Sequence, residues 1–78
     1  MTELQKTLHD IAAAIVDSPD EVKVAYEEDD DTINMTLSVA ADDMGMVIGR
    51  HGKIAKAIRT VIKAAAAPSG KKVNVDIR

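Results

Sequence analysis

The sequence predicts an α+β fold in the order α-β-β-α-α-β, with a mixed three-stranded sheet and helices packed on one face. Three observations carry that prediction. Leu4, Leu8, Ile11, Ala12 and Ile15 recur at helical spacing, and Ile33, Met35, Leu37 and Val39 alternate strictly with Thr32, Asn34, Thr36 and Ser38. A helical stretch interrupted by glycines then joins that strand to a final alternating segment, Val73, Val75 and Ile77. A crossover of this kind favours parallel pairing of the strands it joins, whereas a short acidic link makes the first two strands antiparallel.

Each element has local signals. Thr2 with Gln5 three residues later forms a capping-box pattern, and Asp17-Ser18-Pro19-Asp20 stops the first helix. Val22, Val24 and Tyr26 alternate as a short strand, and the five acids Glu27 to Asp31 read as a solvated hairpin loop. Asp42 or Asp43 caps a short helix through about Ile48, which Gly49 and Gly52 interrupt. A longer helix follows from about Lys53 to Ala67 and ends before Pro68-Ser69-Gly70. At about 100° per residue, Ile54, Ile58, Val61, Ile62 and Ala65 share one side of it. Lys53, Lys56, Arg59 and Lys63 share the other, so the positive charge forms a stripe that begins at the glycine turn.

Size and composition narrow the function. With 78 residues the chain is expected to be one domain, residues 1–78, whose Leu, Ile, Val and Met fill a single interior. There is no cysteine, which removes disulfides, thiolate metal sites and a cysteine nucleophile. No apolar run approaches the roughly 20 residues of a membrane helix. Met1-Thr2-Glu3-Leu4 lacks the basic start and apolar stretch of a signal peptide, so the expected location is the cytoplasm, with no membrane partner. Tyr26 is the only aromatic residue. RRM, OB and cold-shock modules stack bases on aromatic rings, so this chain is none of them.

Charge is divided along the sequence. Residues 1–43 hold twelve acids against Lys6 and Lys23, whereas Met44 to Val75 holds seven Lys or Arg and no acid. Within that basic tract lies Gly49-Arg50-His51-Gly52. Glycines without a Cβ let a phosphate–sugar backbone approach closely, and the following helix N-terminus supplies N–H donors and partial positive charge. Arg50, Lys53 and Lys56 add cations beside the turn. A bare pair of glycines is weak evidence, because a helix C-cap at Gly49 followed by a loose turn also explains them.

Other chemistry fits poorly. A Walker A loop needs Gly at position 47, which is Val47, and Ser or Thr after Lys53, which is followed by Ile54. The run Glu27-Glu28-Asp29-Asp30-Asp31 lacks the glycine and distal Glu of an EF-hand loop. His9 and His51 have no cysteine neighbours, and Asp42-Asp43 is explained by capping. No metal, cofactor or catalytic residue is expected, and the chain is read as a binding protein rather than an enzyme.

The stretch Val47-Ile48-Gly49-Arg50-His51-Gly52-Lys53-Ile54-Ala55-Lys56-Ala57-Ile58 resembles the V-I-G-x-x-G-x-x-I signature of KH domains. With a helix and strand placed before the βααβ core, the order is similar to the bacterial type II form, and the whole chain resembles the bacterial KhpA family. The resemblance implies that Gly49 to Gly52 clamps about four nucleotides of single-stranded RNA. By position, Gly49 and Gly52 allow close approach, Arg50 and His51 contact phosphates, and Val47, Ile48 and Ile54 form an aliphatic floor for bases. Core packing accounts for those three apolar residues equally well. The resemblance further implies an RNA chaperone or post-transcriptional regulator that acts with a second KH protein, KhpB, in cell-length control and peptidoglycan homeostasis.

A different class of function fits the same residues. The net charge of −3 and the small side chains Ala64 to Ala67 suit a protein-pairing module, a homodimer or a heterodimer with a KhpB-like protein. Its basic stripe would then meet an acidic partner surface.

Overall fold

In the computed structural model, which describes residues 1–78, the first helix α1 (Glu3–Ile15) starts as the capping pattern requires. Gln5 N–H donates to Thr2 Oγ1 at 3.0 Å, and Thr2 N–H donates to Gln5 Oε1 at 2.9 Å. The two bonds satisfy donors that no helical carbonyl can reach. After a single 3₁₀ turn at Pro19–Glu21 come β1 (Lys23–Glu28) and β2 (Thr32–Ser38), then a 3₁₀ turn at Ala41–Asp43 and α2 (Met44–Ile48). The glycine turn leads into α3 (Lys53–Ala66), and after Pro68-Ser69-Gly70 the chain ends in β3 (Lys72–Ile77).

The sheet order is β1-β2-β3, antiparallel for the first pair and parallel for the second, as the connections predict. Met35 sits at the centre, opposite Tyr26 on one side and Val75 on the other. Strand alternation sends Ile33, Met35, Leu37, Val73 and Val75 to the helix-covered face, where they meet Leu8 and Ala12 of α1 and Ile58, Ile62 and Ala66 of α3. The opposite face exposes Ala25, Glu27, Asn34, Asn74 and Asp76, and Asn74 Nδ2 donates to Asn34 Oδ1 at 2.9 Å.

Several local expectations need correction. Glu27 and Glu28 belong to β1, and only Asp29 to Asp31 form the loop. Asp29 makes that tightness possible, because its Oδ1 accepts from the Asp31 and Thr32 amides at 3.0 and 2.9 Å, an Asx turn. Val22 and Val39 lie just outside the strands, Val22 buried and Val39 half-buried. Asp43 occupies the N-cap position of α2 without capping it. Its carboxylate is buried instead and accepts the Ser18 amide at 3.0 Å, tying the β1 approach to the start of α2.

The largest correction concerns α3. Ala55, Ile58, Ile62 and Ala66 are its buried residues, whereas Ile54 and Val61 are 39% and 48% exposed and Ala65 is exposed too. The helix is rotated from the expected phase so that alanines face the interior. Ala55 and Ala66 share the buried side with Ile58 and Ile62, and Ile54 and Val61 remain at the flank.

Candidate nucleic-acid interface

The turn between α2 and α3 is built by backbone conformations that most residues avoid. Gly49 has φ 76° and ψ 175°, His51 has φ 57° and ψ 26°, and Gly52 has φ 72° and ψ 15°. The first of these angle pairs is essentially open to glycine alone, and the other two are left-handed. Gly49 N–H closes α2 on the Gly45 carbonyl at 2.9 Å, and Gly52 N–H returns to the Gly49 carbonyl at 3.2 Å. The chain thus makes a single 3₁₀ turn, Arg50–Gly52, and enters α3 at once.

The two glycines serve different ends. A Cβ on Gly49 would overlap Ile54 Cγ1, so the turn lies directly on the first turn of α3. A Cβ on Gly52 would meet nothing within 4 Å, so that position needs glycine for its φ and for open space above it. Arg50 and His51 project from this turn and are exposed, as are Lys53 and Lys56 on α3. No side chain caps the N-terminus of α3 and no acid occupies its first turn. Its positive end is therefore unopposed by any local carboxylate.

Charge pairing separates this region from the rest. Every side-chain ion pair in the protein involves Lys6 or His9 with Asp10, Lys71 with Glu28, or Arg78 with Asp76. From Met44 onward only Lys71 and Arg78 are neutralised. Arg50, Lys53, Lys56, Arg59, Lys63 and Lys72 have no acidic partner, although acids outnumber bases in the chain as a whole.

The apolar residues assigned to this site divide. Val47 is completely buried and belongs to the core cluster, so it supports the turn from beneath and cannot touch a ligand. Ile48 and Ile54 are partly exposed beside the glycines, at 38% and 39%. Arg59, which sequence reasoning placed in the outward stripe, is half-buried instead, and its Nε donates to the Val75 carbonyl of β3 at 3.1 Å. Helical phase alone could not find that bond, because the acceptor lies 16 residues away on another element.

No helix is long and apolar enough to cross a membrane. No cluster of three or more His, Cys, Asp or Glu side chains is arranged to hold a metal ion.

Known proteins similar to this one match nearly the whole chain. A relative from Clostridium acetobutylicum named RNA-binding protein KhpA is 51% identical over 74 residues, covering 95% of this chain and 99% of its own. Another of the same name, from Caldanaerobacter subterraneus subsp. tengcongensis, is 51% identical over 77 residues and covers 99% of both chains. Among solved structures, the fold matches Era in complex with MgGDPNP and nucleotides 1506–1542 of 16S ribosomal RNA. That match has a TM-score of 0.70 at 15% identity and covers 95% of this chain, which spans 28% of the Era chain. Neither relative's name carries an enzymatic activity. Residues 5–77 match the family described as KhpA/KhpB, KH domain, and the chain belongs to that family.

Proposed function

We propose that this protein binds single-stranded RNA by its sugar–phosphate backbone, with Gly49 to Gly52 as the clamp. Arg50, His51, Lys53 and Lys56 hold phosphates, and Ile48 and Ile54 offer the adjoining aliphatic surface. The observation that carries this reading is the unpaired basic group around an uncapped helix N-terminus, in a chain where acids are abundant enough to neutralise it. Such a surface favours a polyanion, and Gly52 leaves it room to approach. The names of the KhpA relatives support the same ligand class. Family membership supports action in the cytoplasm as an RNA chaperone or post-transcriptional regulator.

With about four phosphates contacted by a single strand, log K should fall with log salt at a slope of about −2.8. Fluorescence anisotropy with a labelled U-decamer is then expected to show a roughly 50-fold loss for a fourfold rise in salt. A flat response would count against a clamp built on charge.

A second reading, pairing with another copy or with a KhpB-like KH protein, is favoured by the exposed flank of α3. Ile54 and Val61 lie there beside Ala57, Ala64 and Ala65, all exposed. Light scattering after size exclusion addresses it. A dimer that Val61→Glu converts to monomer supports pairing through this flank, and a wild-type monomer removes homodimerisation.

A further inference from the structure

Arg59 stands apart from the other cations without an acidic partner because a main-chain carbonyl holds its guanidinium. Its Nε donates to the Val75 carbonyl at 3.1 Å, and no acid is paired with it. Strand β3 lies at the edge of the sheet. Lys72 and Arg78 donate their amides to Asp31 and Leu37 at 2.9 and 2.8 Å. In a parallel ladder the residues between them in register, Val73, Val75 and Ile77, turn their N–H and C=O groups to the free edge. Arg59 therefore bridges the cationic flank of α3 to an edge that no strand covers, where it occupies the Val75 carbonyl.

We propose that Arg59 is a specificity-determining residue that selects guanine in the bound RNA, an inference resting on the RNA-binding function above. With Nε engaged, the two Nη groups remain as a parallel pair of donors. Guanine presents two adjacent acceptors, O6 and N7, which match that pair, whereas adenine sets a donor beside N7. A phosphate is the poorer occupant, because outward carbonyls repel it. A base edge, which carries donors and acceptors, complements a strand edge that carries both. Arg59 also lies about 10 Å along α3 from Gly52, at 1.5 Å rise per residue, which separates this contact from the phosphate clamp.

The test measures anisotropy with four labelled RNA decamers: U10, and U10 carrying one central G, C or A. A single guanine suffices, because a U-tract can slide until the guanine meets Arg59. Wild type should prefer the guanine RNA over U10 by roughly tenfold, the effect of one bidentate arginine contact. Arg59→Lys keeps the charge and loses the fork, and Arg59→Gln loses both, so the ratio should fall toward one in each. Thermal melts of both variants report whether the fold is intact, and Arg59→Lys serves if Arg59→Gln does not fold. Equal wild-type affinity for all four RNAs overturns the assignment while leaving the RNA clamp standing. So does a guanine preference that survives Arg59→Lys, or a cytosine preference in its place. Failure of wild type to bind any of the four overturns the clamp as well.

Discussion

Gly49 and Ile54 are in such close contact that a Cβ added to the glycine would lie 2.9 Å from Ile54 Cβ and overlap Cγ1. This packing joins the end of α2 to the start of α3 and fixes the angle at which the turn presents Arg50 and His51. It also makes Gly49 and Gly52 unequal. Gly49→Ala adds a φ/ψ penalty of about 1–3 kcal/mol to an overpacking cost of similar size. Gly52→Ala carries only left-handed strain, about 1 kcal/mol. Urea denaturation should therefore find Gly49→Ala the more destabilising by roughly 2 kcal/mol. Equal losses would mean that the contact with Ile54 is unimportant.

Asp43 should be a stability residue and not a ligand residue. It is 3% exposed and holds the Ser18 amide from 25 positions away. Asp43→Ala removes the charged acceptor of the part-buried Ser18 amide, at a cost of about 1.5–3 kcal/mol. Asp43→Asn keeps an acceptor oxygen and should recover much of that loss. A neutral Asp43→Ala in thermal or urea melts would contradict the tether.

A pH effect follows from the hairpin tip. Lys71 Nζ bonds the Glu28 carboxylate and the Asp29 carbonyl, and Tyr26 donates its hydroxyl to Glu28 at 2.6 Å. The Lys71 bond first, then the Tyr26 bond, holds the Glu28 carboxyl below its ordinary value of 4.5. A carboxyl depressed in the folded state contributes stability above its unfolded value and loses it as pH falls through the folded one. The stability gap between wild type and Lys71→Met should thus be full near neutral pH and shrink below about pH 4. A gap that stays constant into acid would show that Lys71 acts through packing alone.

The fold was legible because local chemistry and pattern agreed. Thr2 with Gln5 marked the first helix, the alternation of Ile33, Met35 and Leu37 marked the central strand, and the crossover forced β3 parallel to it. The glycine turn was legible for the same reason. Gly49 and Gly52 stand where angles near 76° and 72° are needed. What could not be read depended on contacts between distant segments. Ala55 and Ala66 are buried with Ile58 and Ile62 while Ile54 and Val61 are exposed, because the phase of α3 is set by where it packs on the sheet and on α1. Periodicity ranks Ile above Ala and so misplaces the helical phase. Asp43 with Ser18, and Arg59 with Val75, join residues that no spacing rule connects. Val47 fits the apolar floor of the signature by sequence, yet the fold spends it on the core.

RNA binding is proposed to depend on the exposed turn of Arg50 and His51 gripping the backbone. Replacing both residues by Asp is the decisive substitution, since Asp tolerates the left-handed angle that His51 adopts and both glycines remain. Two carboxylates would then occupy the phosphate track. With a U-decamer at low salt, anisotropy should show affinity falling by about two orders of magnitude, equivalent to about 2.7 kcal/mol, while circular dichroism stays unchanged. Undiminished binding by a folded double variant would show that RNA is held elsewhere.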